Sequence, residues 1–429
     1  MYISGSHLHP ACDAIRSFPS LQTLSVNPDF SGDISRFLRS LSDAIHSLHH
    51  TLRTLEVWES CFIEQDYYTP GGINSVNTIT EDDEEQEDDA DIHDSRANAD
   101  VLMDICPADL KSLIIHNPKT TLLANLPGWI DRLRASGKLS EIALIDNAGP
   151  NLSVGLSYSL TDTNLFSALN SLHELRELSV CYYLQLNTPS VLPSLPNLRN
   201  LRVTHTGPPI STIREATLFS KFVRRIIRDS PTLEEIELRR EGFDHKRDLQ
   251  LSCTSPRRTH TLFKSFRDPS PSLTPLILHL ATARHSVKVL KMADFFVNAK
   301  HLAKFCKARG QGIEHLEIGI GRAILLGLSQ TVASLTNLKR LQLRVTGVRR
   351  KLLNGCLEAY GESVGRPSER WIDPFVRKLP GGLFWLDING REWEISWACP
   401  SPAKSRSQSE IPSPTRVVTE MQRKKVVWE

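Results

Sequence analysis

One short pattern, apolar-x-x-apolar-x-apolar, returns along most of this chain. A chain built this way must stack one small unit many times. The copies begin at Leu21, Leu52, Leu110, Leu139, Leu175, Leu198, Leu233, Val287, Ile313 and Leu338. Leu198-Arg-Asn-Leu201-Arg-Val203 is a representative copy. The second half of each copy alternates apolar and polar residues, the period of a half-buried strand. A Pro or Ser with a small polar residue usually leads in, as in Leu195-Pro-Asn and Ser230-Pro-Thr. Between copies, Ile34–Leu52 and Phe219–Ile227 place apolar residues at three- and four-residue steps, which predicts helices. His7–Phe18 reads as the helical half of a further repeat. The unit is therefore strand, loop and helix, with the apolar side of the strand toward the helix. One unit cannot bury that side alone, but stacked units can.

These copies resemble the leucine-rich-repeat family over roughly residues 10–350. The resemblance implies an α/β fold: a right-handed solenoid, or horseshoe, with a parallel concave sheet and helices on the convex side. Neighbouring copies are about 23 to 36 residues apart, with two gaps longer than 50, against about 20–29 for the family. The usual Asn after the strand is mostly missing; Asn27 and Asn147 come nearest. Such degenerate repeats are similar to those of fungal F-box/leucine-rich-repeat proteins. There the F-box recruits a ubiquitin-ligase scaffold and the repeats choose the substrate. Here the first strand is expected near Leu21, which leaves no room for an F-box before it. A ubiquitin-ligase scaffold is then an expected partner only if an F-box lies upstream of Met1.

The long gaps are expected to be insertions in a solenoid spanning 1–350. One, 64–99, carries the acidic run Glu81–Asp94 and few apolar residues, so it reads as a disordered or surface loop. The other, 242–272, is a basic loop with His245, Lys246, Arg247, Arg257, Arg258, Lys264 and Arg267. Residues 351–399 are expected to form a C-terminal cap. Within it Leu383–Trp397 flanks Asn389-Gly390, a strong hairpin signal, and brings Trp385, Trp393 and Trp397. Residues 400–429 read as a disordered Ser/Pro/basic tail, with Ser401 and Ser413 ahead of prolines.

Several chemistries find no support in the sequence. The eight cysteines are evenly spread without a CxxC, which predicts free thiols rather than disulfides or zinc. No signal peptide and no membrane-length apolar run is visible, so an intracellular, cytoplasmic or nuclear, protein is expected. Gly319-Ile-Gly321 would need a third glycine at Ile324 to be a dinucleotide loop, and a repeat turn is the better reading. His46, His49 and His50 share a stretch without an acidic or Cys partner at ligand spacing, and read as a solvated helix end. There is no Walker loop, G-x-S-x-G or H-E-x-x-H. No enzyme, cofactor or metal is expected.

What remains is binding. Side chains between the buried strand positions should point outward into the concave face. They are Glu56, Trp58, His116, Glu177, Arg202, Glu235, Glu237, Arg239, Glu317, Arg340, Gln342 and Arg344. Trp and Arg are typical interface anchors, and the mixed charge suits a protein partner better than a phosphate backbone. The expected function is a protein-interaction scaffold, with substrate recognition in an F-box-type ubiquitin-ligase adaptor as its narrowest form. The alternative is a nucleic-acid or anion-binding protein that uses the loop 242–272. The net charge of +2 favours neither.

Overall fold

A recurring turn delivers the chain to several of the strands. The backbone N–H of the first apolar residue of the motif donates to the carbonyl three residues earlier. Leu21 bonds to Phe18, Leu110 to Pro107, Leu175 to Leu172, Leu198 to Leu195, Leu233 to Ser230 and Leu338 to Leu335. Pro in the second position of such turns is preset for the required φ. The next two N–H groups then converge on one carbonyl of the preceding unit. Arg53 and Thr54 both donate to Gln22 O at 2.8 and 2.9 Å, and Lys339 and Arg340 to Glu314 O at 2.8 and 3.1 Å. The same fork recurs on Arg53, Lys111, Ser140, Arg199, Glu234, Lys288 and Lys339. Nine strands are thus registered by their predecessors at the first residue.

The computed structural model describes residues 2–3, 8–26, 34–58, 105–116, 120–145, 168–183, 194–206, 213–240, 273–346, 372–388, 391–398 and 415–420. They fall into two units, Met1–Leu198 and Arg199–Glu429. In the first, strands β1 (Tyr2–Ile3), β2 (Thr23–Val26), β3 (Thr54–Trp58), β4 (Ser112–His116), β5 (Glu141–Ile145) and β6 (Glu177–Tyr183) pair in parallel, each with its neighbour in sequence. Helix α1 (Leu8–Arg16) packs on α2 (Ile34–His46), and α3 (Thr120–Arg134) links β4 to β5. Leu24, Leu55, Leu113, Ile142 and Leu178 lie in one register row, and all are buried.

The second unit repeats this plan with a helix in each crossover. Its parallel strands are β7 (Asn200–Thr206), β8 (Glu235–Arg240), β9 (Val289–Phe296), β10 (His315–Gly321), β11 (Arg340–Thr346) and β12 (Trp385–Ile388). Helices α4 (Ile213–Ile227), α5 (Thr274–Thr282), α6 (Ala299–Ala308) and α7 (Arg322–Val332) pack each on the next, and α8 (Ile372–Arg377) precedes β12. The core row is Leu201, Ile236, Leu290, Leu316, Leu341 and Leu386, each at most 1% exposed. Against it α4 buries Phe219, Phe222, Val223, Ile226 and Ile227, the stripe of an amphipathic helix. Each such side chain contributes about 1.5–3 kcal/mol by leaving water.

Two stitches tie neighbouring repeats together. The Asn before the strand, rather than after it, is the useful one: Asn197 Nδ2 donates to His173 O, and Asn337 Nδ2 to Gln311 O, both at 2.8 Å. Arg309, just beyond α6, closes the C-terminal end of α5. It donates to the carbonyls of Leu280 at 2.7 Å, His285 at 2.9 Å and Ala283. Leu280 lies in the last turn of α5, whose carbonyls have no partner within the helix, and Ala283 and His285 follow it.

The structure differs from the sequence-based expectations in several places. Helix α2 stops at His46 rather than running to Leu52, because the chain must turn there to bring Leu52 into the core and Arg53 to Gln22 O. Gly319 and Gly321 lie in strand β10, not in a turn. β9 bulges beside Gly319, its register jumping from Met292 to Phe296, and a Cβ on Gly319 would lie 2.6 Å from Phe295 O and 2.9 Å from Ala293 O. Only glycine admits that approach. The pairing of β11 with β12 makes Leu383-Phe-Trp-Leu386-Asp-Ile388 a further copy of the repeat rather than part of a separate cap. β13 (Arg391–Ala398) returns antiparallel, with Ile388 opposite Arg391, so the hairpin extends the sheet sideways. Of its tryptophans only Trp393 is buried, and Trp397 is exposed. Lastly, Thr415–Glu420, assigned to a disordered tail, forms β14 antiparallel to β13. Its β-branched Val417, Val418 and Thr419 suit a strand.

Candidate functional site

In every strand of the repeat the residues between the core positions face the other way. All twelve residues expected on the binding face occupy such positions, but they are not alike in what they touch.

In the first unit, Trp58 of β3 is opposite His116 of β4 in register. The indole and imidazole stack with centroids 4.1 Å apart and planes 9° apart. His116 Nε2 also donates to Glu56 Oε1 at 2.6 Å, which holds the imidazole plane against the indole. His116 is nearly buried, while Trp58 and Glu56 are half-buried. Across β4, Ile114 faces Ala143 and His116 faces Ile145, so aromatic and apolar side chains flank the Glu56–His116 pair. Glu177 stands apart from the group. It is exposed at the start of β6, opposite Glu141.

The second unit presents a charged ladder. Arg202, Glu237, Lys291, Glu317, Gln342 and Asp387 succeed one another across β7 to β12 in one register row. Opposite charges directly across from each other stabilise a sheet. Arg202 Nε donates to Glu237 Oε2 at 2.8 Å, and Arg239 Nε to Glu237 Oε1. Burial pushes the Glu237 carboxyl upward, but Arg202 and Arg239 outweigh it and hold its pKa below the usual carboxylate value. Lys291 Nζ meets Glu235 at 2.6 Å. His315 Nε2 lies 2.9 Å from Glu317 Oε1, out of line for a hydrogen bond. Arg340 sits over Phe384 and Trp385, its guanidinium 5.6 and 5.9 Å from the ring centres. Arg344 Nη1 donates to Asp294 Oδ1 at 2.9 Å, and the backbone N–H of Arg240 donates to Asp294 Oδ2 at 3.0 Å. The sequence reading missed Lys291 and Asp294. Lys291 was legible as the outward position of its copy; Asp294 sits on the bulge, where alternation no longer assigns a face.

His46, His49 and His50 make ring contacts at 5.8 and 4.9 Å. Among the described residues no three His, Cys, Asp or Glu side chains are grouped as metal ligands would be. Cys12, Cys106, Cys181 and Cys306 are free thiols, and burial pushes Cys12 up to about 11 and Cys306 up to about 12. Both stay protonated and poorly nucleophilic at neutral pH. No helix among the described residues is long and apolar enough to cross a membrane. The acidic insertion 64–99 and the basic loop 242–272 lie outside the described residues.

The chain matches no protein-family model and no curated protein. Among solved structures it is similar, at 12% identity, to a chain of the Toll–Spatzle complex, a molecular hub in Drosophila development and innate immunity. The alignment covers 90% of this chain with a TM-score of 0.24, a likeness too low to bear on fold or function. This chain spans about half the length of that one, 54%.

Proposed function

We propose that this protein is a non-catalytic scaffold that binds a partner protein on the outward faces of its repeat strands. In this reading each unit is a stretch of right-handed leucine-rich-repeat solenoid with its strands on the concave side. The observation that carries the proposal is the order on those faces. Trp58 is stacked on His116, and Arg202 and Arg239 are both held by Glu237, so anchor-type side chains are fixed before a partner arrives. The burial of Ser25, Ser112, Glu237 and Asp387, all on the side away from the leucine core, supports a crowded, inward-curving face. The resemblance to F-box/leucine-rich-repeat proteins extends the proposal to substrate recognition in a ubiquitin-ligase adaptor, wherever an F-box accompanies these repeats.

Affinity capture tests it, comparing the full chain with the triple variant Trp58→Ala, Arg202→Ala, Arg239→Ala at equal folded concentration. Partners retained by the full chain and lost by the variant are the expected result. An identical set from both would overturn the assignment of these faces.

A further inference from the structure

We propose that Arg202, Glu237 and Arg239 form a receptor for one carboxylate, presented by an Asp or Glu side chain of the partner protein. The proposal rests on the reading of the strand faces as interaction surfaces and names the chemistry that one of them recognises.

The geometry is that of a clamp built around a recessed anion. Glu237 lies opposite Arg202 in register, and Arg239 is two residues further along the same strand. Each carboxylate oxygen of Glu237 accepts from the Nε of one arginine. The Glu237 side chain is 4% exposed, whereas those of Arg202 and Arg239 are 48% and 61% exposed. The negative charge is thus sunk into the face while the two guanidiniums stand above it. Among the described residues, neither guanidinium has a hydrogen-bond partner other than Glu237, so their Nη groups remain available. A guanidinium that is already oriented loses less conformational freedom when it forms a second fork.

Charge selects the ligand. Two arginines and one ionised glutamate leave a net +1, which a single carboxylate neutralises. A dianion would over-neutralise it. The neighbouring charges argue against a polyanion. The next cation along the row, Lys291, is already held by Glu235, and the position after it is Glu317. A phosphate backbone laid along this row would meet both glutamates. A protein side chain reaching in from above would not.

The test is an NMR titration of the full-length protein, reading the arginine Nε–Hε resonances. The probe is the acetylated, amidated tripeptide Ala-Glu-Ala, with Ala-Gln-Ala as control. The expected result is a saturable shift of the Arg202 and Arg239 signals with the first peptide and none with the second. The double variant Arg202→Lys, Arg239→Lys keeps both charges beside Glu237 but removes the forks. Its affinity for Ala-Glu-Ala, followed on neighbouring backbone amides, should be at least about tenfold weaker. Unchanged affinity in that variant, or no saturable shift in the unaltered protein, would overturn the proposal. So would inorganic phosphate or a thymidine oligonucleotide binding more tightly than Ala-Glu-Ala, which would make this a phosphate site. If the peptide fails to bind but the triple variant still loses protein partners, the carboxylate proposal falls and the interaction face stands. If both experiments fail, both readings fall.

Discussion

Asp294 of β9 and Arg344 of β11 meet at 2.9 Å over a strand that places no side chain between them. The intervening residue of β10, opposite Arg344, is Gly319. The bulge in β9 lifts Asp294 out of register, and the bare backbone of Gly319 lets the two side chains close above it. Both are largely buried, at 9% and 17% side-chain exposure. Removing one member leaves a charge in a place with little water. Asp294→Ala should therefore destabilise the second unit by about 3 kcal/mol or more, and Asp294→Asn, which keeps an acceptor for Arg240 N–H, by less. Urea midpoints of the two variants, with Arg344→Gln to complete a double-mutant cycle, measure the coupling. A value near zero would show that the pair does not act as a unit.

The two glycines of β10 should respond differently to the same methyl group. At Gly319 a Cβ would run into the carbonyls of Phe295 and Ala293, whereas at Gly321 it would meet nothing within 4 Å. Gly319→Ala should cost about 1–3 kcal/mol through overpacking against backbone that cannot easily yield. Gly321→Ala, at the N-cap of α7, should cost less than about 1 kcal/mol. Thermal melts of the two variants, side by side, give the order directly.

Arg309 serves three carbonyls at and just beyond the end of α5, and lysine cannot reproduce its fork. Both Arg309→Ala and Arg309→Lys should destabilise by about 2–3 kcal/mol, since each leaves carbonyls of a packed turn unmet. Hydrogen exchange should rise first in α5 and in the turn that follows it. Faster exchange spread evenly over the chain would contradict this local role.

His205 lies on the core side of β7, fully buried and edge-on to Phe219. Burial, aided by Arg240, pushes its imidazole down to about 4. The folded chain therefore keeps His205 neutral where the unfolded chain, with an ordinary value of about 6.5, takes up a proton. Stability is unaffected above that pH and falls by about 1.4 kcal/mol per unit as pH drops toward 4, about 3 kcal/mol in all. Replacing His205 with Leu should remove this component. The loss of urea stability between pH 7 and pH 4.5 should then be visibly smaller in the variant than in the unaltered chain.

The strand faces were legible in the sequence because period-two alternation leaves each residue one choice of side. Glu237 and Arg202 could be placed on the same face from Leu201, Val203, Ile236 and Leu238 alone. That Glu237 would hold two arginines could not, since it depends on a register between strands 35 residues apart. Asp294 was hidden for a different reason: the bulge at Ala293–Phe295 breaks the alternation that would have assigned it. The two-residue β1 is too short to carry a pattern. β14 is preceded by a Ser/Pro-rich stretch that suggested no structure. The role of Arg309 carried no sequence signal, because its carbonyl partners belong to the preceding repeat.

The forked bonds that open nine of the strands have a consequence for how this chain can vary. In a coiled coil, one inserted residue shifts the phase of everything after it. Here there is no phase to lose. The two N–H groups of Lys111 and Ser112 find Arg53 O across a separation of more than fifty residues, as Arg176 and Glu177 find Ser140 O across about thirty-six. The distance along the chain between strands is therefore decoupled from the distance between them in space, and connections can lengthen or shorten as independent cassettes while the ladder of side chains on the face keeps its order.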